Sequence, residues 1–472
     1  MFGLDPLFTV LLCLCLLVAA AFEFVNGFHD TANAVATVIY THSMKPATAV
    51  IWSGLWNFIG VNIGGIAVAI GIINLLPLEM LVDQNLGHNI AMIMALILTA
   101  IAWNLFTWYL GIPCSSSHTL IGSIFGVGLA FLMLPGNEGV MLNWRKVADA
   151  GLSLMVSPVV GFYLSFLLMV LLRSLLKKKH PIFQQPAGKK PPPFWIRSIL
   201  VLTCTSVSYA HGSNDGQKGI GLFMLILIGF APAYFTVDRR QNPADLLSDT
   251  QKVEWTVNKI DPSSLSEDGV AELGIVKKNI DSLTNRLTGI TSFHQLSKAN
   301  HLKVRKEILT IAKKTELVLS DMQGPRQKSL SSVQMQVLRS NLEKMRDNTE
   351  YAPRWVILMV SLSLGLGTMI GWKRVVVTIG EKIGKTPMTY GQGASAQLVA
   401  SSTIALSSAF GLPVSTTHVL SSGIAGTMIV GKGKKNLQKK TVRNILVAWF
   451  VTLPVTIVLS GVLFLLFWFI WS

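Results

Sequence analysis

Asn26-Gly27-Phe28-His29-Asp30-Thr31-Ala32-Asn33 sets an ionisable carboxylate directly behind the apolar run Leu7 to Phe24. A charge at bilayer depth costs roughly 3 kcal/mol or more, so an acid there reads as a functional site facing protein or trapped water. The chain repeats the arrangement, because His211-Gly212-Ser213-Asn214-Asp215-Gly216-Gln217-Lys218 follows the apolar run Ile196 to Ala210. A second pair of motifs accompanies the first: Gly111-Ile112-Pro113-Cys114-Ser115-Ser116-Ser117-His118-Thr119-Leu120 and Gly411-Leu412-Pro413-Val414-Ser415-Thr416-Thr417-His418-Val419-Leu420. The chain is an internal duplication. Asp30 and Asp215 are 185 residues apart and Ser115 and Ser415 are 300 apart, a difference of 115 that the polar stretch Asp238 to Arg354 supplies as an insert in the second half. A polar motif in each of two apolar repeats is the pattern of a secondary transporter.

With 472 residues, 51% hydrophobic and 14% charged, and several apolar runs longer than 18 residues, the chain reads as an all-α polytopic membrane protein and not as a soluble one. Fifteen of the 24 acidic residues fall in the insert, and of the rest only Glu23, Asp30 and Asp215 lie in or beside apolar runs. The formal charge of +16 gathers in short loops, where topogenic charge belongs, which argues against a nucleic-acid partner. Cys13, Cys15, Cys114 and Cys204 lack paired spacing and read as small packing residues. The first 22 residues resemble a signal peptide, with Ala19-Ala20-Ala21 at a cleavage-like place. No Lys or Arg precedes the run, however, and its partner run abuts an equivalent motif, so we read it as a retained first helix.

The expected organisation is a first transmembrane repeat over 1–172, a basic Pro-rich linker over 173–197 and the start of the second repeat over 198–237. A hydrophilic loop over 238–354 and the remainder of the repeat over 355–472 follow. The linker, with Lys177, Lys178, Lys179, Lys189 and Lys190, and the loop Lys432 to Arg443 belong in the cytoplasm by the positive-inside rule. The uncharged Met1 to Leu4 and Trp471-Ser472 then lie outside, each half crosses an odd number of times, and the repeats are inverted. Six apolar segments per half, counting Ala34 to Tyr40 as separate from Leu7 to Phe24, is an even number. At least one segment should therefore be broken or re-entrant, and the short runs beside the Pro-Ser motifs are the candidates, since irregular backbone at that depth must line a cavity. Charge leaves the insert's side open. Within it Val304, Ile308, Ile311 and Leu319 recur near helical spacing, predicting a soluble, partly helical structure around Leu302 to Leu319.

Ser115-Ser116-Ser117 and Ser415-Thr416-Thr417 each follow a Gly-x-Pro break and precede an apolar run, which is the composition of a helix N-terminus. Such an end favours anions, through its dipole and its free N–H groups. Plain capping and close helix packing are the alternative reading. Asp30 and Asp215 repel an oxyanion unless a proton or metal ion accompanies it, and that requirement would couple the two. A carboxylate also accepts a hydrogen bond from the protonated oxygen of monohydrogen phosphate, which sulfate lacks, so the pair favours phosphate. An ion pair of Asp215 with Lys218 is the structural alternative. Asn33 and Asn214 are neutral oxygen ligands suited to a hard cation, whereas Lys218, the counterpart of Asn33, would occupy a sodium position. Protons or a divalent metal travelling with phosphate (Mg, Ca or Zn) are therefore expected over sodium, with no permanent cofactor.

His29, His211, His118 and His418 flank these motifs as candidate proton acceptors or backbone partners. Glu23, two helical turns before Asp30, is a candidate relay carboxylate whose counterpart in the second half is Ser208. Thr31 lies inside the first motif, and Asn104 and Gln397 read more often as glue between helices.

Together the motifs resemble the inorganic phosphate transporter (Pit) family, most closely the bacterial low-affinity phosphate permeases, over essentially the whole chain. The resemblance implies phosphate symport into the cell across the bacterial cytoplasmic (inner) membrane, inverted repeats, external termini, a cytoplasmic central loop and a homodimer in the lipid bilayer. Against the family pattern G-A-N-D-x-x-N-A, His29 replaces the first Asn of one copy and Lys218 the later Asn of the other. Sodium-coupled members keep both, so the departures imply proton coupling and neutral metal-phosphate. Two rivals stay open at this point: an intramembrane hydrolase built from Ser115, His118 and Asp30, which the duplication opposes, and a carrier of another oxyanion such as sulfate.

Overall fold

The structure, a computed structural model, describes residues 2–76, 80, 86–135, 137, 142–186, 188, 190–322, 330–430 and 433–471. Expectations resting on Met1, Lys189, Lys432 and Ser472 lie outside these. The first helix, α1 (Pro6–Tyr40), runs 35 residues straight through the Asp30 motif, a rise of about 52 Å at ~1.5 Å per residue. The separate Ala34 to Tyr40 segment is thereby corrected. The motif contains no Pro, and its polar side chains find partners on other helices, so nothing interrupts the backbone ladder.

Next come α2 (Pro46–Ile63) and α3 (Ala67–Ile73), bent by 73°, then α4 (Leu86–Tyr109) and α5 (Ser116–Leu132), joined by a turn at Gly111 with φ +66°. The helix α6 (Trp144–Leu175) ends the half. A continuous α7 (Phe194–Phe230) of 37 residues then carries the Asp215 motif, so the basic linker is helical at both ends. The insert supplies α8 (Pro243–Val257), α9 (Glu267–Leu287), α10 (Lys298–Asp321) and α11 (Ser332–Asp347). The earlier order then returns. The helices α12 (Arg354–Thr368) and α13 (Lys373–Val377, continued by a π turn Thr378–Lys382) are bent by 57°. The hairpin of α14 (Tyr390–Ala409) and α15 (Thr416–Ile429) turns at Gly411 with φ +67°, and α16 (Lys439–Trp471) ends the chain. Among the described residues four helices are long and apolar enough to cross a membrane, six if each bent pair is one span. Each half thus has two irregular places, the expected hairpin at the Pro-Ser motif and a second break in the run before it.

Two compact units result: Met1–Phe8 with Leu227–Tyr351, and Thr9–Ile226 with Ala352–Ser472. In the second, the last helix of each half packs on the other half's hairpin, α16 on α4 and α5, and α6 on α14 and α15. Glycine permits this closeness, since a Cβ on Gly126 would overlap the Ile457 carbonyl of α16 and one on Gly426 the Phe162 carbonyl of α6. The helices α1 and α7 run in opposite directions past each other. Arg197 Nε on α7 donates to the Ser43 carbonyl just past the end of α1 at 2.8 Å, His211 faces Asp30 midway, and Gly219 lies against Glu23 further along.

In the other unit, Leu246, Val253, Leu273, Ile280, Leu338 and Met345 bury a core of their own, which also takes in Val304, Ile308, Ile311 and Leu319 of the predicted helix. Its neck is pinned: Asp238 N donates to Asn348 O at 2.7 Å, and buried Arg305 donates to the carbonyls of Thr236 and Thr349 at 3.2 and 2.7 Å. The Arg305 guanidinium is buried deeply enough to lower its pKa to about 10. The aromatic ring of Phe2 packs on Tyr234 and Phe235, with centroids 5.4 and 4.9 Å apart. This corrects the expected sidedness. An external N-terminus and a cytoplasmic insert cannot both hold when the first residues pack on the insert's own base.

Candidate functional site

Each Gly-x-Pro turn ends in a serine that caps its helix: Ser115 Oγ accepts from His118 N, and Ser415 Oγ from His418 N, both at 3.1 Å. The capping alternative therefore describes these two residues. The next hydroxyls point elsewhere. Ser116 Oγ donates to Asp30 Oδ2 at 2.8 Å and Thr417 Oγ1 to Asp30 Oδ1 at 2.9 Å, so hairpins from both halves meet on one carboxylate. Asn33 Nδ2 donates to Thr417 Oγ1 at 2.8 Å, and His29 bridges Asp30 Oδ1 and Thr107 Oγ1 at 2.9 and 3.2 Å.

The second half repeats this with one change of charge. Lys218, the counterpart of Asn33, donates to Ser117 Oγ, the counterpart of Thr417, and also to Asp215 Oδ1 and to Val414 O. The weighed ion pair of Asp215 and Lys218 is thus present, and Asp215 already has its cation. His211 stands between the acids, its Nε2 3.1 Å from Asp215 Oδ2 and 3.8 Å from Asp30 Oδ2. The nearer contact is misaligned for a hydrogen bond. One ligand atom from each of Asp30, His211 and Asp215 lies within 4.8 Å of the others, a carboxylate-rich set with one imidazole that suits a divalent cation. All these side chains are buried.

The remaining expected residues divide. Asn214 turns away from the acids and clamps the second hairpin, donating to Ser408 Oγ at 2.9 Å and accepting from Val414 N at 3.4 Å. Thr31 donates to the Gly27 and Thr368 carbonyls. Gln397 joins Ala34 O to Thr203, which is the glue role. Asn104 is buried, and among the described residues neither amide atom has a hydrogen-bond partner. The rings of His118 and His418 lie 4.6 Å apart where the hairpins meet, with His118 Nδ1 2.8 Å from Ser115 Oγ and His418 stacked on Trp449. Thr416 is buried beside them. Glu23 is fully buried beside the Asn26 side chain, and among the described residues no well-aligned hydrogen bond reaches either oxygen. Three participants escaped the sequence reading: Thr107, Asn57, whose Oδ1 is 3.0 Å from His211 Nδ1, and Thr368, which accepts from Asn57 Nδ2 at 2.8 Å. Their one signal was a polar residue inside an apolar run.

The proposed hydrolytic triad is not assembled, because Asp30 is held by His29, Ser116 and Thr417 while His118 turns to Ser115. The comparisons agree. The description "Phosphate transporter family" matches residues 26–460. The low-affinity inorganic phosphate transporter PitA of Escherichia coli (strain K12) is 43% identical, covering 98% of this chain and 97% of its own. PitB of the same strain is 42% identical over 98% and 97%. The probable low-affinity inorganic phosphate transporter of Bacillus subtilis (strain 168) is 26% identical over 96% and 95%. Among solved structures, the sodium-dependent phosphate transporter covers 97% of this chain and 98% of its own with a TM-score of 0.54 and 20% identity, a likeness of fold alone. With both acids and both hydroxyl motifs inside the matched residues, the chain belongs to the phosphate transporter family.

Proposed function

We propose that the protein is a symporter that moves inorganic phosphate into the cell across the bacterial cytoplasmic membrane, by alternating access at a site shared by two inverted repeats. Protons, or a divalent metal travelling with phosphate as a neutral complex, supply the coupling. The observation that carries this is the convergence of Ser116 and Thr417, one from each hairpin, on Asp30. An unaccompanied Asp30 carboxylate engages both hydroxyls and repels an oxyanion. Once a proton or cation neutralises it, the same two hydroxyls are free to donate to phosphate, so anion and cation enter together or not at all. Lys218 adds a fixed positive charge that Asp215 balances, which gives the second half no need of a mobile ion and disfavours a sodium pair. The antiparallel course of α1 and α7 supports inversion. With the basic linker in the cytoplasm, the opposite ends of α1 and α7, and the insert that follows α7, lie outside.

The test is labelled phosphate uptake into proteoliposomes with pH, sodium and magnesium gradients imposed separately. Uptake should follow the proton gradient or magnesium, and Asp30→Asn, which presents a permanently neutral group, should bind phosphate without responding to either. Strict dependence on sodium with indifference to pH would overturn the coupling. Strong competition by sulfate would favour the wider oxyanion carrier.

A further inference from the structure

Glu23 lies seven residues before Asp30 on α1, about 10 Å along the helix at ~1.5 Å per residue. It is wholly buried, and among the described residues neither carboxylate oxygen has a well-aligned hydrogen-bond partner. An ionised carboxylate left bare in such a place costs several kcal/mol, so the group is stable there only while it holds a proton. Its pocket is made for it. The carboxyl group rests on Gly219 of α7, where even a Cβ would come within 2.5 Å of Glu23 Cδ. The polar neighbour on its own helix is Asn26, whose Oδ1 is likewise unpartnered. The charged and titratable groups that face it are Asp215, Lys218 and His211, all on α7. The second half has Ser208 at the equivalent place, bonded to Ser53 at 2.9 Å, so this carboxyl group is outside the twofold pattern and outside the set of atoms that meet around Asp30.

We infer that Glu23 is a second proton-binding site of the transport cycle, separate from the phosphate site and lying on the approach to it from the end of α1 that carries the N-terminus. It accepts one proton as an O–H bond and gives that proton up when the opposing face of α7 moves away and water reaches it. This rests on the proton-coupled reading above and deepens it, because an acid that shares no hydrogen bond with Ser116, Thr417 or His29 can gain or lose a proton without breaking the hydroxyl network that holds Asp30.

The experiment counts protons. Purified protein in detergent is mixed with inorganic phosphate in weak buffer and proton uptake is read with an indicator dye. The H⁺-to-phosphate ratio is then measured in proteoliposomes by the reversal-potential method, for the parent, Glu23→Gln and Glu23→Asp. Glu23→Gln keeps the shape of the group and should lower the ratio by one proton, whereas Glu23→Asp should restore it. An unchanged ratio in Glu23→Gln overturns the inference. So does a folded Glu23→Gln, monodisperse with the parent's melting temperature, that no longer binds phosphate, since Glu23 would then belong to the phosphate site itself. If the parent moves no protons, the coupling reading fails and this inference with it. If the parent does and Glu23→Gln matches it, this inference alone fails.

Discussion

Asp30 and Asp215 occupy equivalent positions, yet Lys218 neutralises one while hydroxyls and histidines surround the other. Their environments differ through two replacements between the copies, His29 against Asn214 and Asn33 against Lys218. The hydroxyls are just as unequal. Thr417 donates to Asp30, so Thr417→Val keeps the shape and removes a buried bond to a charge. Such bonds contribute about 1.5–3 kcal/mol, and kcat/KM for uptake is expected to fall roughly ten- to a hundredfold. Ser115→Ala instead removes a helix cap, a loss of about 1 kcal/mol in stability, and should lower the melting temperature with a much smaller kinetic change. A larger kinetic loss in Ser115→Ala than in Thr417→Val would show that the roles are assigned the wrong way round. The sequence disclosed which stretches come together, because buried acids and paired hydroxyl runs are costly or rare in apolar helices and so find one another. It did not disclose which hydroxyl meets which acid, since that depends on a contact between residues 387 positions apart.

At the scale of elements, the two hairpins were legible from Gly-x-Pro followed by hydroxyls, a pattern that both ends one helix and starts another. The bends after α2 and α12 were not. They sit within apolar runs, and only Gly64-Gly65 and Gly371 mark them, with Gly65 at φ +77° and Gly371 at φ +72°. The unbroken course of α1 was missed for the opposite reason, since a polar motif reads as a loop until its partners on other helices are known. Close crossings hold these elements in place. A Cβ on Gly212 would overlap the backbone of Asn57 on α2, and a backbone cannot swing aside as a side chain can. Gly212→Ala should therefore cost about 1–3 kcal/mol, seen as a lower melting temperature in detergent. Gly151→Ala on α6 has nothing within 4 Å of the new methyl and should be neutral or stabilising through better helix propensity. Equal effects from the two substitutions would remove close packing as the reason that both motifs carry glycine at this place, Gly27 and Gly212.

Over the whole molecule, the proposed side of the membrane for the insert depends on the path of one helix. The basic linker enters α7 at Phe194 and the insert begins just beyond Phe230, so in the arrangement we propose, with α7 crossing once, the two lie on opposite faces. The duplication carries the same proposal: the short turn Thr41 to Pro46 corresponds to the insert, and inverted repeats would put the two on opposite faces. Net charge could not reveal it, because a domain this long can translocate whatever its charge. The decisive measurement uses single cysteines in a Cys13→Ser background, since Cys15, Cys114 and Cys204 are buried while Cys13 is exposed. Lys178 in the linker and Lys278 on α9 are both exposed positions. Lys278→Cys should react with a membrane-impermeant maleimide on intact spheroplasts, and Lys178→Cys only after permeabilisation. Reversed labelling would turn the molecule over and refute the positive-inside assignment. Labelling of both positions only after permeabilisation would mean that α7 does not cross, and the inverted arrangement on which the shared site depends would go with it.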